Sequence, residues 1–182
     1  MKMKSLYPLY LLLALFLAQI TLAQAASKAE IDANIRQALT EFYKHSSAGK
    51  ELAQKASGML IFPKVYKAGI GIGGEYGEGA LLIGGKTVDY YNIAAASIGF
   101  QLGAQMKSQI VLFMNKEALN GFRNSDGWEA GVDGSVAIAT LGAGGEIDTE
   151  TVKEPIIGFI FSNKGLMYNL TLEGSKITKI KK

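Results

Sequence analysis

Gly69-Ile70-Gly71-Ile72-Gly73-Gly74 satisfies the G-x-G-x-x-G spacing of a dinucleotide-binding turn, and Asp89 follows where a ribose-binding acid would sit. That chemistry needs backbone amides at the start of a helix, whose dipole meets the pyrophosphate. Glu75-Tyr76-Gly77-Glu78-Gly79 follows instead, a poor helix start that sets two carboxylates where phosphate would lie. Ala80-Leu81-Leu82-Ile83-Gly84-Gly85-Lys86-Thr87 mimics a relaxed P-loop with alanine in place of the first glycine. Its interior is Leu-Leu-Ile rather than flexible, and Val88-Asp89-Tyr90-Tyr91 behind it is strand sequence. Both strings therefore read as structural strands and turns, and no nucleotide is expected.

Other chemistries close quickly. Asp126, Glu129 and Asp133 lack the alternating oxygens of an EF-hand loop, and Arg123-Asn124-Ser125-Asp126-Gly127 reads as a helix exit and turn. His45 stands beside Ser46 and Ser47, yet nothing marks an oxyanion hole or an orienting acid. His45 is the sole histidine and cysteine is absent, which removes thiol nucleophiles, thiolate metal sites and disulfides. Trp128 reads as a packing anchor, with a membrane-interface role as the alternative. No enzyme activity, metal or cofactor is expected.

At 182 residues the chain has room for one domain with a sizeable core. Lys2 and Lys4, an apolar run from Leu6 to Leu22, and Ala23-Gln24-Ala25 follow the order of a secretory signal peptide. An uncleaved anchor is the alternative, disfavoured because Pro8, Gln19 and Thr21 interrupt the run. Residues 1–25 are therefore read as signal peptide and 26–182 as a single domain. Cleavage removes two lysines and no acid, lowering the formal charge from +3 to +1. A chain so nearly neutral carries no broad nucleic-acid footprint.

The elements that must position any site begin with a helix. Ser27 and Glu30 have capping-box spacing, and Ile31, Ile35, Leu39 and Phe42 form an apolar stripe. The stripe fits core packing, with membrane contact as a second use. His45 to Gly49 breaks the helix, and Lys50 to Ala56 resumes it until Gly58. Strands follow: Met59 to Phe62, ended by Pro63; Ala68 to Tyr76; a turn at Gly77-Glu78-Gly79; Ala80 to Ile83; and, after Gly84-Gly85-Lys86, Val88 to Ile93. A strand through Ile98 to Ala104 puts Ser97, Gly99 and Gly103 on a small-residue face, and Gln109 to Met114 reads as a strand covered on both faces. Asn115 caps a short helix with Ala118, Leu119 and Phe122 inward. Strands are expected again at Val132 to Leu141, Ile156 to Ser162, Leu166 to Leu172 and Ile177 to Ile180, with an exposed loop from Gly142 to Lys153. The fold class is α+β: a strongly curved, mostly antiparallel sheet or partly closed barrel under an N-terminal helical layer.

In that order, ASGMLIFPKVYKAGIGIGGEYGEGALL, YYNIAAASIGFQLGAQ, QIVLFM, EALNGFRNSDGWEAGVDGSVA and FIFSNKGLMYNLTLEGSKI resemble the SYLF-domain lipid-binding family in a bacterial form, over about Ala29 to Ile180. Yeast relatives of that family are described as actin-binding. The resemblance implies a non-catalytic module that associates with phospholipids, in eukaryotes notably phosphoinositides. The chain lacks the cysteine of lipoprotein relatives and the SH3 or FYVE domains of eukaryotic ones. Actin is not an expected partner outside a bacterial inner membrane.

Lipid headgroups need cations beside apolar or aromatic groups that can enter the interface. Lys64, Tyr66 and Lys67 offer this in the loop after Pro63, Lys164 in the turn between Phe161 and Met167, and Lys176 and Lys179 in the basic run that ends with Lys181 and Lys182. The expected function is an exported, periplasmic or secreted protein that binds anionic phospholipid through these residues, peripherally on an envelope membrane. Two alternatives are a carrier of a hydrophobic small molecule inside the curved sheet and an envelope assembly protein that pairs with a protein partner through an open strand edge.

Overall fold

Two glycines fold a very long ribbon in half. Gly84 and Gly85 take φ of +57° and +76°, a two-residue turn whose handedness matches strand twist. The turn joins β1 (Gly58–Ile83) to β2 (Lys86–Phe113), antiparallel along their length. The computed structural model describes residues 26–139, 147, 150–161, 172 and 174–182, with backbone alone at 69–72 and 97–104. The segment read as a signal peptide, Lys164, most of the loop expected over Gly142–Lys153 and nearly all of the strand expected over Leu166–Leu172 lie outside the described residues.

Before the ribbon come α1 (Lys28–His45) and α2 (Ser47–Lys55); after it come α3 (Lys116–Asn124), β3 (Trp128–Glu129), β4 (Ala137–Ile138), a 3-10 turn at Thr151–Lys153, β5 (Ile156–Phe161) and β6 (Lys176–Ile180). One edge of β2 carries β1. The other carries β6 opposite Tyr90–Ala94 and β5 opposite Ser108–Phe113. β3 adds to β6 antiparallel, and β4 adds to β5 in parallel. The architecture is thus α+β, with a strongly curled and mostly antiparallel sheet and a helical N-terminal part.

The curl has a steric cause. A Cβ built on Gly79 would lie 2.0 Å from the Ile61 carbonyl oxygen, and one on Gly77 would lie 2.8 Å from that of Lys64. The far half of β1 therefore lies directly on the backbone of its near half, an approach only glycine permits. The Gly77–Gly79 turn expected from sequence is absent, because these glycines serve close approach within a continuous strand. Pro63 likewise does not end a strand. A register shift between Phe62 and Val65 absorbs it as a bulge, so Lys64, Tyr66 and Lys67 sit on a strand rather than a loop.

The sheet is buried on both faces where β2 meets β5. Ile61, Ile110, Leu112, Ile157 and Phe159 face α1, which contributes Ile31, Ile35, Ala38 and Phe42. The Phe42 ring meets that of Phe159 edge-on at 4.8 Å. Val111, Phe113 and Ile160 face the opposite way, onto Leu119, Phe122 and Trp128. The α1 stripe is thus committed to the core, and Trp128 is a packing anchor against Phe122.

Local signals set the helix ends. The Ser27 hydroxyl accepts from the Glu30 amide, and the Asn115 side chain accepts from that of Ala118. The helix resumes at Ser47 rather than Lys50, because the buried Ser46 hydroxyl caps it by accepting from the Gly49 amide at 2.8 Å. Val132 and Asp133 form a turn instead of starting a strand, and the strand there is confined, among the described residues, to Ala137–Ile138.

Candidate binding surface at the bend of the hairpin

Where β1 bends, its outward side chains are large. Tyr66 is 57% exposed and Tyr76 48%, and Met106 stands opposite Tyr66 on β2. Tyr66 and Tyr76 border a groove of about 450 Å³ between the bend and the start of α1, floored by Ile31 and Pro63 and edged by Lys64 and Glu78. Lys64 also borders a smaller hollow with Met106 and Lys107 beside Gln37 and Glu41 of α1. Among the described residues, neither Lys64 nor Lys67 has an ion-pair partner. The Tyr76 hydroxyl donates to Glu78 Oε1 at 3.1 Å, and burial followed by this carboxylate raises its pKa.

The carboxylates that follow the glycine-rich string have partners of their own. Glu75 accepts from the buried Lys107 ammonium at 2.7 Å, and Glu78 from Lys182 at 2.8 Å. Asp89 binds Lys179 at 2.5 Å and Arg123 at 3.5 Å. No helix begins at Gly74 or Thr87, both of which lie in strands. The two phosphate-loop mimics are therefore a strand and a hairpin turn.

Of the lysines named from sequence, the fold groups Lys64 with Tyr66 at the groove. Lys67 sends its field toward Lys107, whose ammonium it destabilises. Lys176 and Lys179 lie on β6, where Lys179 is tied to Asp89 and Lys176 rests beside Gly127. Tyr76, Met106 and Glu78 were not singled out as site residues. The curl brings Tyr76 and Glu78 beside Tyr66, and the hairpin register brings Met106; an exposed tyrosine cannot be told from a buried one by spacing alone.

The remaining candidates have structural roles. Asp133 accepts from the Glu129 amide at 2.7 Å and closes a turn. Among the described residues, no three metal-ligating side chains converge. His45 is exposed and lies 3.6 Å from Glu41, one helical turn away. Among the described residues, no helix is long and apolar enough to cross a membrane.

Residues 94–182 match the family Ysc84, described as "Las17-binding protein actin regulator". The match is consistent with the SYLF-domain resemblance. The match begins inside β2 and runs through α3, β5 and β6. It leaves α1, α2 and β1 outside, so the groove is built from the part of the chain that the match does not cover. No curated protein matches the chain.

Proposed function

We propose that the chain is a SYLF-domain protein, a non-catalytic, exported module that attaches reversibly to anionic phospholipid at a membrane surface. One observation carries the reading: Tyr66, Tyr76 and Met106 stand exposed at the bend, with Lys64 and Lys67 as the cations on the same stretch of β1. Aromatic rings of this kind settle at the headgroup level, while lysine stems lie along apolar surface with their charges in water. Each lysine near an anionic surface contributes about 1 kcal/mol, and salt screens that attraction. The absence of catalysis is supported by the engagement of Glu75, Glu78 and Asp89 in ion pairs. Residues 1–25 act as the export signal in this reading, with the mature chain in the periplasm or beyond.

The test is co-sedimentation of the mature protein with vesicles, neutral or containing anionic lipid, at two salt concentrations. Pelleting only with anionic vesicles, weaker at higher salt, is expected. Equal pelleting with neutral vesicles contradicts the electrostatic part, and no pelleting contradicts the reading.

The groove favours a second reading, a carrier of a hydrophobic small molecule. Its volume of about 450 Å³ falls within the range of small-molecule sites, about 300–1,000 Å³. It lies between α1 and the bend rather than inside the sheet. Native mass spectrometry of the purified protein separates the two, since only a carrier retains a stoichiometric ligand.

A further inference from the structure

Glu78 is 11% exposed, and both of its oxygens are engaged. Oε1 accepts from the Tyr76 hydroxyl, while Oε2 accepts from Lys182 Nζ at 2.8 Å and from the Ala26 main-chain nitrogen at 3.0 Å. Lys182 Nζ also donates to the Ala26 carbonyl oxygen at 2.8 Å. Ala26 is thereby held at both of its backbone polar groups by residues remote in sequence. The cap of α1 needs none of this, since Ser27 supplies it. Ala26 is also the residue that follows the small-x-small string Ala23-Gln24-Ala25.

The geometry points to Ala26 as an amino terminus made by processing, whose α-ammonium forms an ion pair with Glu78. This rests on the export part of the reading above. A signal peptidase hydrolyses the Ala25–Ala26 peptide bond: water adds its hydroxyl to the Ala25 carbonyl carbon, and the Ala26 nitrogen leaves as an amine that takes up a proton. The nitrogen already lies at ion-pair distance, so a neutral donor becomes a charged one without moving. Charge-assisted hydrogen bonds are about twice as strong as neutral ones.

The surroundings suit the new charge. Glu30 and Lys64 border the groove with Ala26 and Glu78, and Lys182 pairs with Glu78. The α-ammonium adds one positive charge to this end of the groove, which Tyr66 also borders. Processing would in this way both fasten the start of α1 to β1 and add a cation to the surface proposed to meet lipid.

The test begins with the full-length gene expressed in a bacterial host and intact-mass analysis of the exported protein. Thermal midpoints are then compared for the natural sequence, a variant with one glycine inserted between Ala25 and Ala26, Glu78→Gln, and the combination. The inserted residue moves the ammonium by about 3.8 Å. The expected results are an N-terminus at Ala26 and a midpoint about 2–4 °C lower on insertion, with little shift when Glu78→Gln is present. The rate of α-amine acylation is a second readout that does not depend on the Glu78 variant. It should be several-fold slower in the natural protein than in the glycine-extended one. Equal shifts in both backgrounds, equal acylation rates, or cleavage at another bond would overturn the inference. A retained leader would overturn the export reading as well, whereas correct cleavage with a silent insertion would overturn the ion pair alone.

Discussion

Lys107 donates to Glu75 across 2.7 Å, with the two side chains only 3% and 7% exposed. They are not ladder partners: Glu75 stands opposite Ala95, and Lys107 opposite Val65. The ion pair therefore spans the curl of the hairpin and fixes how tightly it closes. Gln109 adds a bond from Nε2 to the same carboxylate at 3.1 Å, and its own Oε1 is buried without a protein partner.

Removing one member of this pair leaves the other charged and buried. Lys107→Met or Glu75→Gln alone is expected to cost about 3–5 kcal/mol in chemical denaturation, and Glu75→Leu with Lys107→Met to recover most of it. Burial lowers the Lys107 pKa, Glu75 opposes that shift, and Lys67 adds to it. The unfolded chain thus binds more protons than the folded one below the ordinary lysine value of 10.5. The Lys107 penalty should ease as pH rises toward that value, and a pH series on Lys107→Met should lack this rise.

Curvature by close approach gives a sharp contrast between two glycines of one strand. Gly79→Ala drives a Cβ into the Ile61 carbonyl and should destabilise by about 3 kcal/mol or more. Gly74→Ala meets its nearest atom, the Ala95 carbonyl oxygen, at 3.9 Å and should stay within about 0.5 kcal/mol. Urea unfolding of both variants checks the pair.

These glycines also mark where the sequence stops being readable. The caps at Ser27 and Asn115, the α1 stripe, the Gly84-Gly85 turn and the two-faced burial of Gln109–Phe113 follow from local chemistry and were legible. Gly77 and Gly79 imitate a turn, and their true reason is the backbone of Lys64 and Ile61, thirteen and eighteen residues earlier. Pro63 looks like a strand end until a bulge absorbs it. Glu75 and Lys107 resemble solvated strand charges, because nothing local reveals a partner across the curl. At the candidate surface, Lys64 and Tyr66 were legible by type, while Tyr76 needed the curl and Met106 the hairpin register to stand beside Tyr66.

Ser46 offers a local test. Its hydroxyl is buried and caps α2, so Ser46→Ala should cost about 1 kcal/mol, and up to about 2 given its burial. Ser47→Ala, just inside the helix, should change the thermal midpoint little.

Alkaline pH should expose Tyr91. Burial, then the Asp89 carboxylate, pushes its phenol up to about 12, with Arg123 pulling the other way. A raised folded pKa means that this contribution is intact below the ordinary value of 10.0 and is lost as pH climbs from there through about 12. Stability measured across that window should fall, and Tyr91→Phe should fall less steeply.

The affinity of the mature protein for anionic vesicles, compared between the natural sequence, Lys64→Ala with Lys67→Ala, and Lys179→Ala, tests the membrane reading most directly. Loss of two surface lysines should weaken binding by roughly 30-fold at about 1 kcal/mol each. Lys179 is held by Asp89, so its removal should change affinity little. Equal losses in the two variants, or none in either, would contradict the assignment of the hairpin bend as the lipid-facing surface.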